Sequence, residues 1–204
     1  MQFLCYEMRA TTLCMGERLR AGVFRPCCKV FRYTTLVGAL AERFGNREQI
    51  HAAGRLLRTR DELLTFAPRE RVRNISVVPL QIEYLAEVTG RIYVALNEFT
   101  DSWPAEFFLN IGAMKSKGFG ASHLYDKQVV GFGKSELRRG RLIVRIPDQE
   151  RTTEALGVRS VLSPHYGYLF IPTSETSGVY VKSLFEGSEV VAAPFLLEER
   201  GETE

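Results

Sequence analysis

From Gln2 to Leu13 the chain carries Phe3, Cys5, Tyr6, Thr11, Thr12 and Leu13, residue types that suit a pleated, half-buried surface, and this run predicts a first strand. Residues 15–32 interrupt it with Gly16, Gly22 and Pro26 set among Arg18, Arg20, Arg25, Lys29 and Arg32, the composition of a basic loop. The period then changes. Leu36, Leu40 and Phe44 recur on one helical face, so a helix is expected over 36–44, with Thr35 as its cap and Gly45 as its terminator. Residues 46–74 are Arg-rich and broken at Ala67-Pro68, and they read as an inserted arm rather than core. Strand formers return over 75–84 and 91–96, which predicts two antiparallel strands about a turn near Thr89-Gly90. Thr100, Asp101 or Ser102 can cap a second helix, with Pro104 in its first turn and Phe107, Phe108 and Ile111 on its apolar faces. A glycine-bearing loop follows, and 123–130 supplies another strand.

That order, βαββαβ, is the ferredoxin-like or RNA-recognition arrangement of an α+β fold. It divides the chain into a core over 1–132, with an arm inserted at about 46–75, and a β-rich segment over 133–204. In that segment 142–146, 166–172 and 178–185 read as strands and the acidic end as a disordered tail. Two hundred and four residues with 45% hydrophobic content suffice for a core without disulfide or metal staples. The net charge of +3 is a weak argument for a polyanionic partner, but its distribution is a better one. Residues 1–73 hold fourteen Lys and Arg against seven Asp and Glu. The cysteines at 5, 14, 27 and 28 have no second cluster of Cys or His to complete a zinc site, and neither a metal nor a cofactor is expected. With no signal peptide and no apolar run long enough for a bilayer, reduced thiols in a cytoplasm are the expectation, with no membrane partner.

Candidate chemistry concentrates in Ile111-Gly112-Ala113-Met114-Lys115-Ser116-Lys117-Gly118-Phe119-Gly120. Its glycines can free the backbone so that consecutive N–H groups line an anion-sized concavity, while Lys115, Ser116 and Lys117 add charge and a hydroxyl. Phe119 can pin the loop to the core or offer a face to a base. The run lacks the glycine before the lysine and the strand-loop-helix setting of a Walker loop. It resembles the glycine-rich loop of the CRISPR-associated RAMP superfamily. The basic Gly/Pro stretch that leads into Thr34-Thr35-Leu36-Val37-Gly38-Ala39-Leu40 is similar to the start of the first helix in the Cas-five group, subunits that hold the 5′ handle of the CRISPR RNA (crRNA). The resemblance covers 111–120 closely, 25–45 more loosely, and neither the arm nor the C-terminal segment.

The resemblance implies a non-catalytic RNA-binding subunit that anchors the 5′ handle of the crRNA and caps the backbone of an effector ribonucleoprotein. Its partners would be the backbone and large subunits and, through the complex, target DNA. It makes Gly112, Lys115, Ser116, Lys117, Gly118, Phe119 and Gly120 RNA contacts, and Arg18, Arg20, Arg25, Lys29 and Arg32 candidates for phosphate. An ordinary solvated loop is the alternative for those arginines. The alternative function is a metal-independent endoribonuclease acting on repeat RNA, with His51 or His123 as base. A simple RNA-recognition protein outside CRISPR systems is disfavoured, because no plain aromatic pair stands in both central strands.

Overall fold

The computed structural model describes residues 1–17, 22–67, 78–174 and 177–199. Arg18, Arg20, the start of the strand expected over 75–84 and the acidic tail at 200–204 lie outside the described residues. The elements in order are β1 (Gln2–Leu13), β2 (Phe24–Arg25), α1 (Tyr33–Phe44), β3 (Ala52–Phe66), β4 (Leu80–Ala95), β5 (Phe107–Asn110), β6 (Ala121–Gly131), β7 (Arg138–Arg141), β8 (Ile146–Pro147), α2 (Glu150–Ala155), β9 (Val158–Ser163), β10 (Tyr166–Pro172), β11 (Gly178–Leu184) and β12 (Glu189–Ala192). Strands dominate, with few helices.

The main sheet runs β3-β4-β1-β6-β5, each neighbour antiparallel, and β2 adds a short parallel pairing to β4 at Gln81 and Ile82. Its centre is β1, where alternation decides which side each residue serves. Leu4, Tyr6, Met8 and Ala10 face α1, forming one core with Leu36, Val37 and Leu40. Phe3 and Cys5 face the other way, into a second core with Leu142, Ile146, Leu184, Phe195 and Leu196 of the C-terminal segment. Residues 133–199 therefore share a core with the back of the main sheet, folding there as two three-stranded sheets, β10-β11-β8 and β7-β12-β9. Two main-chain hydrogen bonds stitch that segment to the start of α1: Tyr33 N–H donates to the Arg145 carbonyl at 2.8 Å and Arg145 N–H to the Phe31 carbonyl at 3.1 Å.

Several expected elements differ. The helix starts at Tyr33 with Arg32 as its N-cap, so Thr35 sits in its first turn and does not cap it; Gly45 ends it as expected. The arm over 46–74 is in part core, because Ala52 and Ala53 at the base of β3 are buried beside Val94 and Tyr93. From Gly54 to Phe66 it pairs antiparallel with β4 as a long hairpin. The turn expected at Thr89-Gly90 is the interior of one continuous strand. Gly90 is required there because a Cβ would lie 2.6 Å from the Arg55 carbonyl oxygen across the pairing, so the glycine marks a close approach.

The second helix does not form. Asn97 and Thr100 close a turn instead: the Asn97 side chain accepts from the N–H of Phe99 and Thr100, and the buried Thr100 hydroxyl donates to the Ala95 carbonyl at 2.9 Å. Beyond Pro104 the residues alternate, with Phe107 and Leu109 buried and Phe108 and Asn110 exposed, which is the period of a strand. Apart from the two-residue β2, the core order is thus βαββββ in place of βαββαβ. The strand expected over 142–146 is also interrupted. Leu142 and Arg145 make isolated bridges to Leu197 and Arg32, and only Ile146 continues into β8. The strands at 123–130, 166–172 and 178–185 are present as β6, β10 and β11.

Candidate nucleic-acid interface

The glycine run joins β5 to β6 as a hairpin loop around a single 3-10 turn, Lys115–Lys117. It is pinned to the end of β1. Ala113 N–H donates to the Cys14 carbonyl at 2.7 Å, Gly120 N–H to the Thr12 carbonyl at 2.9 Å, and Ile111 N–H to the Gly120 carbonyl at 2.8 Å. Gly112 and Gly120 have φ of 91° and 90°, and a Cβ on either would lie 2.4 or 2.3 Å from a carbonyl oxygen. Those two glycines are therefore required by close packing against β1 and Ile111, rather than by an open cradle of N–H groups. The N–H groups of Lys117, Gly118 and Phe119 are spent within the loop. Those of Gly112, Met114, Lys115 and Ser116 have no acceptor among the described residues.

This anchoring holds the loop across from α1. Between them lies a groove in two adjacent parts of about 420 Å³ and 490 Å³, which share Arg32, Thr35 and Phe170 in their linings. The first turn of α1 supplies Thr34 and Thr35, and the loop side supplies Gly112, Ala113 and Lys115. Opposite the loop stands the β10–β11 hairpin, whose Tyr168, Phe170 and Tyr180 face inward. Arg32 donates from Nη2 to the Gly16 carbonyl at 3.1 Å, while its buried Nε has no hydrogen-bond partner among the described residues. Lys115 pairs with Glu42 at 2.5 Å, both side chains exposed. Such a pair contributes about 0–1 kcal/mol, so a phosphate oxygen can compete for the ammonium.

Not all the groove's charge is available. Arg145 gives Nε and Nη2 to Glu186 at 2.7 and 2.6 Å and Nη1 to Glu17 at 2.7 Å, and its guanidinium lies 4.4 Å from the Phe185 ring centre. Burial opposes its charge, but these carboxylates outweigh burial and raise its pKa. The same pairing outweighs burial at Glu186 and holds that carboxyl below its ordinary 4.5. Arg145 therefore organises the groove's end.

Of the residues expected to contact RNA, the groove unites Arg32, Gly112 and Lys115. Lys117 reaches away, its ammonium 4.9 Å from the Phe66 ring, and Phe119 packs edge-on to Tyr84 at 5.0 Å, tying the loop to the long hairpin. Ser116 and Gly118 are exposed on the same turn, and Gly120 is buried behind it. Lys29 is engaged by Asp61 and by Glu83 at 3.6 Å, away from the groove, and Arg25 sits in β2 opposite Ile82. Sequence reasoning missed Tyr168, Phe170, Tyr180 and Arg145. The spacing Tyr166, Tyr168, Phe170 was the available signal, because alternate residues of a strand share a face.

His51 and His123 both lie outside the groove. His51 Nδ1 is 3.0 Å from the Tyr33 hydroxyl, with burial and then the Arg151 charge lowering its pKa; His123 stacks on Phe108 at 4.5 Å. The four cysteines are buried free thiols, and burial pushes Cys27 up to about 12, which suits packing rather than nucleophilic chemistry. No helix among the described residues is long and apolar enough to cross a membrane.

No family model and no curated protein matches the sequence. Solved structures do. One chain of the Type III-B Cmr-beta complex, determined by cryo-EM bound to cognate target RNA and AMPPnP, aligns over 94% of this chain and 86% of its own with a TM-score of 0.55 at 10% identity. The same complex bound to cognate target RNA alone gives the same values. A chain of a CRISPR RNA-guided surveillance complex aligns over 98% of this chain and 95% of its own, with a TM-score of 0.49 at 14% identity. At such identities the likeness to the Cmr-beta chain is one of fold.

Proposed function

We propose that this chain is a non-catalytic subunit of a cytoplasmic CRISPR effector ribonucleoprotein. In this reading its groove grips the sugar-phosphate backbone of the crRNA, anchoring the 5′ handle. The strand order β3-β4-β1-β6 supports reading the main sheet as a ferredoxin-like RAMP core, with a turn and β5 standing where the second helix would be. The observation that carries the proposal is that two segments about eighty residues apart, the start of α1 and the glycine loop, face each other across one groove with Arg32 and Lys115 on its walls. The fold shared with a chain of an RNA-bound Cmr complex supports the same assignment. Phosphate contacts of this kind are tolerant of sequence and weaken as salt rises. The outer half of the β3–β4 hairpin, with Leu57 and Leu63 exposed, is the surface offered to a neighbouring backbone subunit.

Purification with the native neighbours, followed by sequencing of the bound RNA, tests this directly. Guide RNAs with a uniform 5′ end are expected, and a variant combining Arg32→Ala and Lys115→Ala should lose most of that RNA while remaining folded. Full RNA occupancy in the folded variant would overturn the groove assignment. Incubation with repeat RNA in chelator should give no discrete product, since neither His51 nor His123 reaches the groove.

A further inference from the structure

Among the described residues, the C-terminal segment covers the back of the main sheet only at one end. Tyr93 stacks under Phe195 at 4.2 Å, and Phe3 packs against the same ring at 4.9 Å. Beyond this, pairing register lines up a row across five strands: Arg58 opposite Thr89, Thr89 opposite Arg9, Arg9 opposite His123, and His123 opposite Phe108. A shallow depression of about 630 Å³ lies along the row. The Phe108 ring is 70% exposed on the outermost strand, and it stacks almost parallel on His123, 4.5 Å away with 15° between planes. Tyr125 lies 5.2 Å beyond His123, with the Arg9 guanidinium 5.3 Å from its ring centre.

The charges on this face are unevenly used. Arg91 is paired with Glu7 at 2.7 Å and Arg55 with Glu199 at 3.1 Å; Glu87, at the rim, is held by Arg60 at 3.1 Å, and Glu106 stands 3.7 Å from His123. Arg9 and Arg58 have no carboxylate partner among the described residues. Unpaired guanidinium groups beside a ladder of rings whose end is open to solvent match a ligand with alternating phosphates and aromatic bases. A protein-docking face would instead be depleted in charge at its centre. We propose that this open face of the sheet binds single-stranded nucleic acid, stacking a base on Phe108 and holding phosphates at Arg9 and Arg58. The site is on the side of the sheet opposite the α1 groove and stands or falls independently of the groove's function.

The test is fluorescence anisotropy of the full chain with labelled oligouridine of about ten nucleotides, together with mass-spectrometric mapping of ultraviolet crosslinks. Phe108→Ala should weaken binding about tenfold, the effect of losing one base-aromatic stack, whereas Phe108→Trp should retain it. Arg9→Ala with Arg58→Ala should make the dependence on salt shallower by about 1.4 units of log-log slope. Crosslinks should fall on Phe108 or Tyr125, and Arg32→Ala with Lys115→Ala, in the groove, should leave those crosslinks intact. Unchanged affinity in Phe108→Ala, or crosslinks confined to the groove, would refute the proposal. So would release of a protein subunit from the assembled particle by the face variants with oligouridine binding unaltered, because the face would then be a protein-docking surface.

Discussion

At the scale of single residues, Gly112 and Lys115 are three positions apart and do opposite work. Gly112 cannot accept a side chain without displacing the Cys14 carbonyl, 2.4 Å from where a Cβ would stand, and its φ of 91° disfavours any L residue. Gly112→Ala should therefore destabilise the fold by about 1–3 kcal/mol, read as a lowered urea midpoint, and should lose RNA only as a consequence. Lys115→Ala should leave the unfolding free energy within about 0.5 kcal/mol of the parent and act on RNA retention alone. The spacing of these glycines was legible in the sequence because so few residue types tolerate such backbone. What was not legible was the reason. Only the pairing of the loop against β1 shows that two of the glycines are there for a neighbouring carbonyl. Lys29 was equally opaque, since nothing adjacent in sequence announces Asp61 or Glu83 as its partners.

Among elements, β1, α1, β6, β10 and β11 could be read because each carries one clear period over its length. The failures share a cause. Phe107, Phe108 and Ile111 suggested helical faces when the backbone was extended. β4 was divided at Gly90 because a glycine between strand formers looks like a turn when the chain approaching it is unknown. Misreading 107–110 as helix also hid the ring ladder on the back of the sheet, which exists only once Phe108 and His123 are strand neighbours. The short turn at 194–196 was invisible for a similar reason, although it places the ring that closes the second core. Phe195 touches Phe3, Tyr93 and Phe132. Phe195→Ala should cost about 3–5 kcal/mol and speed amide hydrogen exchange in β9 and β12 more than in β6. Equal acceleration across β6 and β12 would mean that the two cores do not separate in this way.

For the molecule as a whole, the joint between the first helix and the C-terminal segment is ionic where the sheet cores are apolar. Arg145 ties Glu186 and Glu17 together beside main-chain bonds to Phe31 and Tyr33. Because the Glu186 carboxyl is held below 4.5 in the folded state, its stabilisation is complete above that pH and is lost as pH falls through the lower folded value. Stability measured by urea unfolding should thus decline below about pH 4.5, and Glu186→Gln should flatten that acid limb while lowering stability at neutral pH. An unchanged acid limb in the variant would remove this pair from the account.

The position of β1 has a consequence for biosynthesis. Leu4 is flanked by Val94 on one side and Val129 on the other, so β1, made before either partner, has both of its hydrogen-bonding edges bare until residues far downstream have left the ribosome. Closing the sheet awaits β6, and until then the apolar positions of β1 remain available to wrong partners. The nascent chain would thus depend on a holding factor more than a chain whose sheet pairs strands that follow one another in sequence.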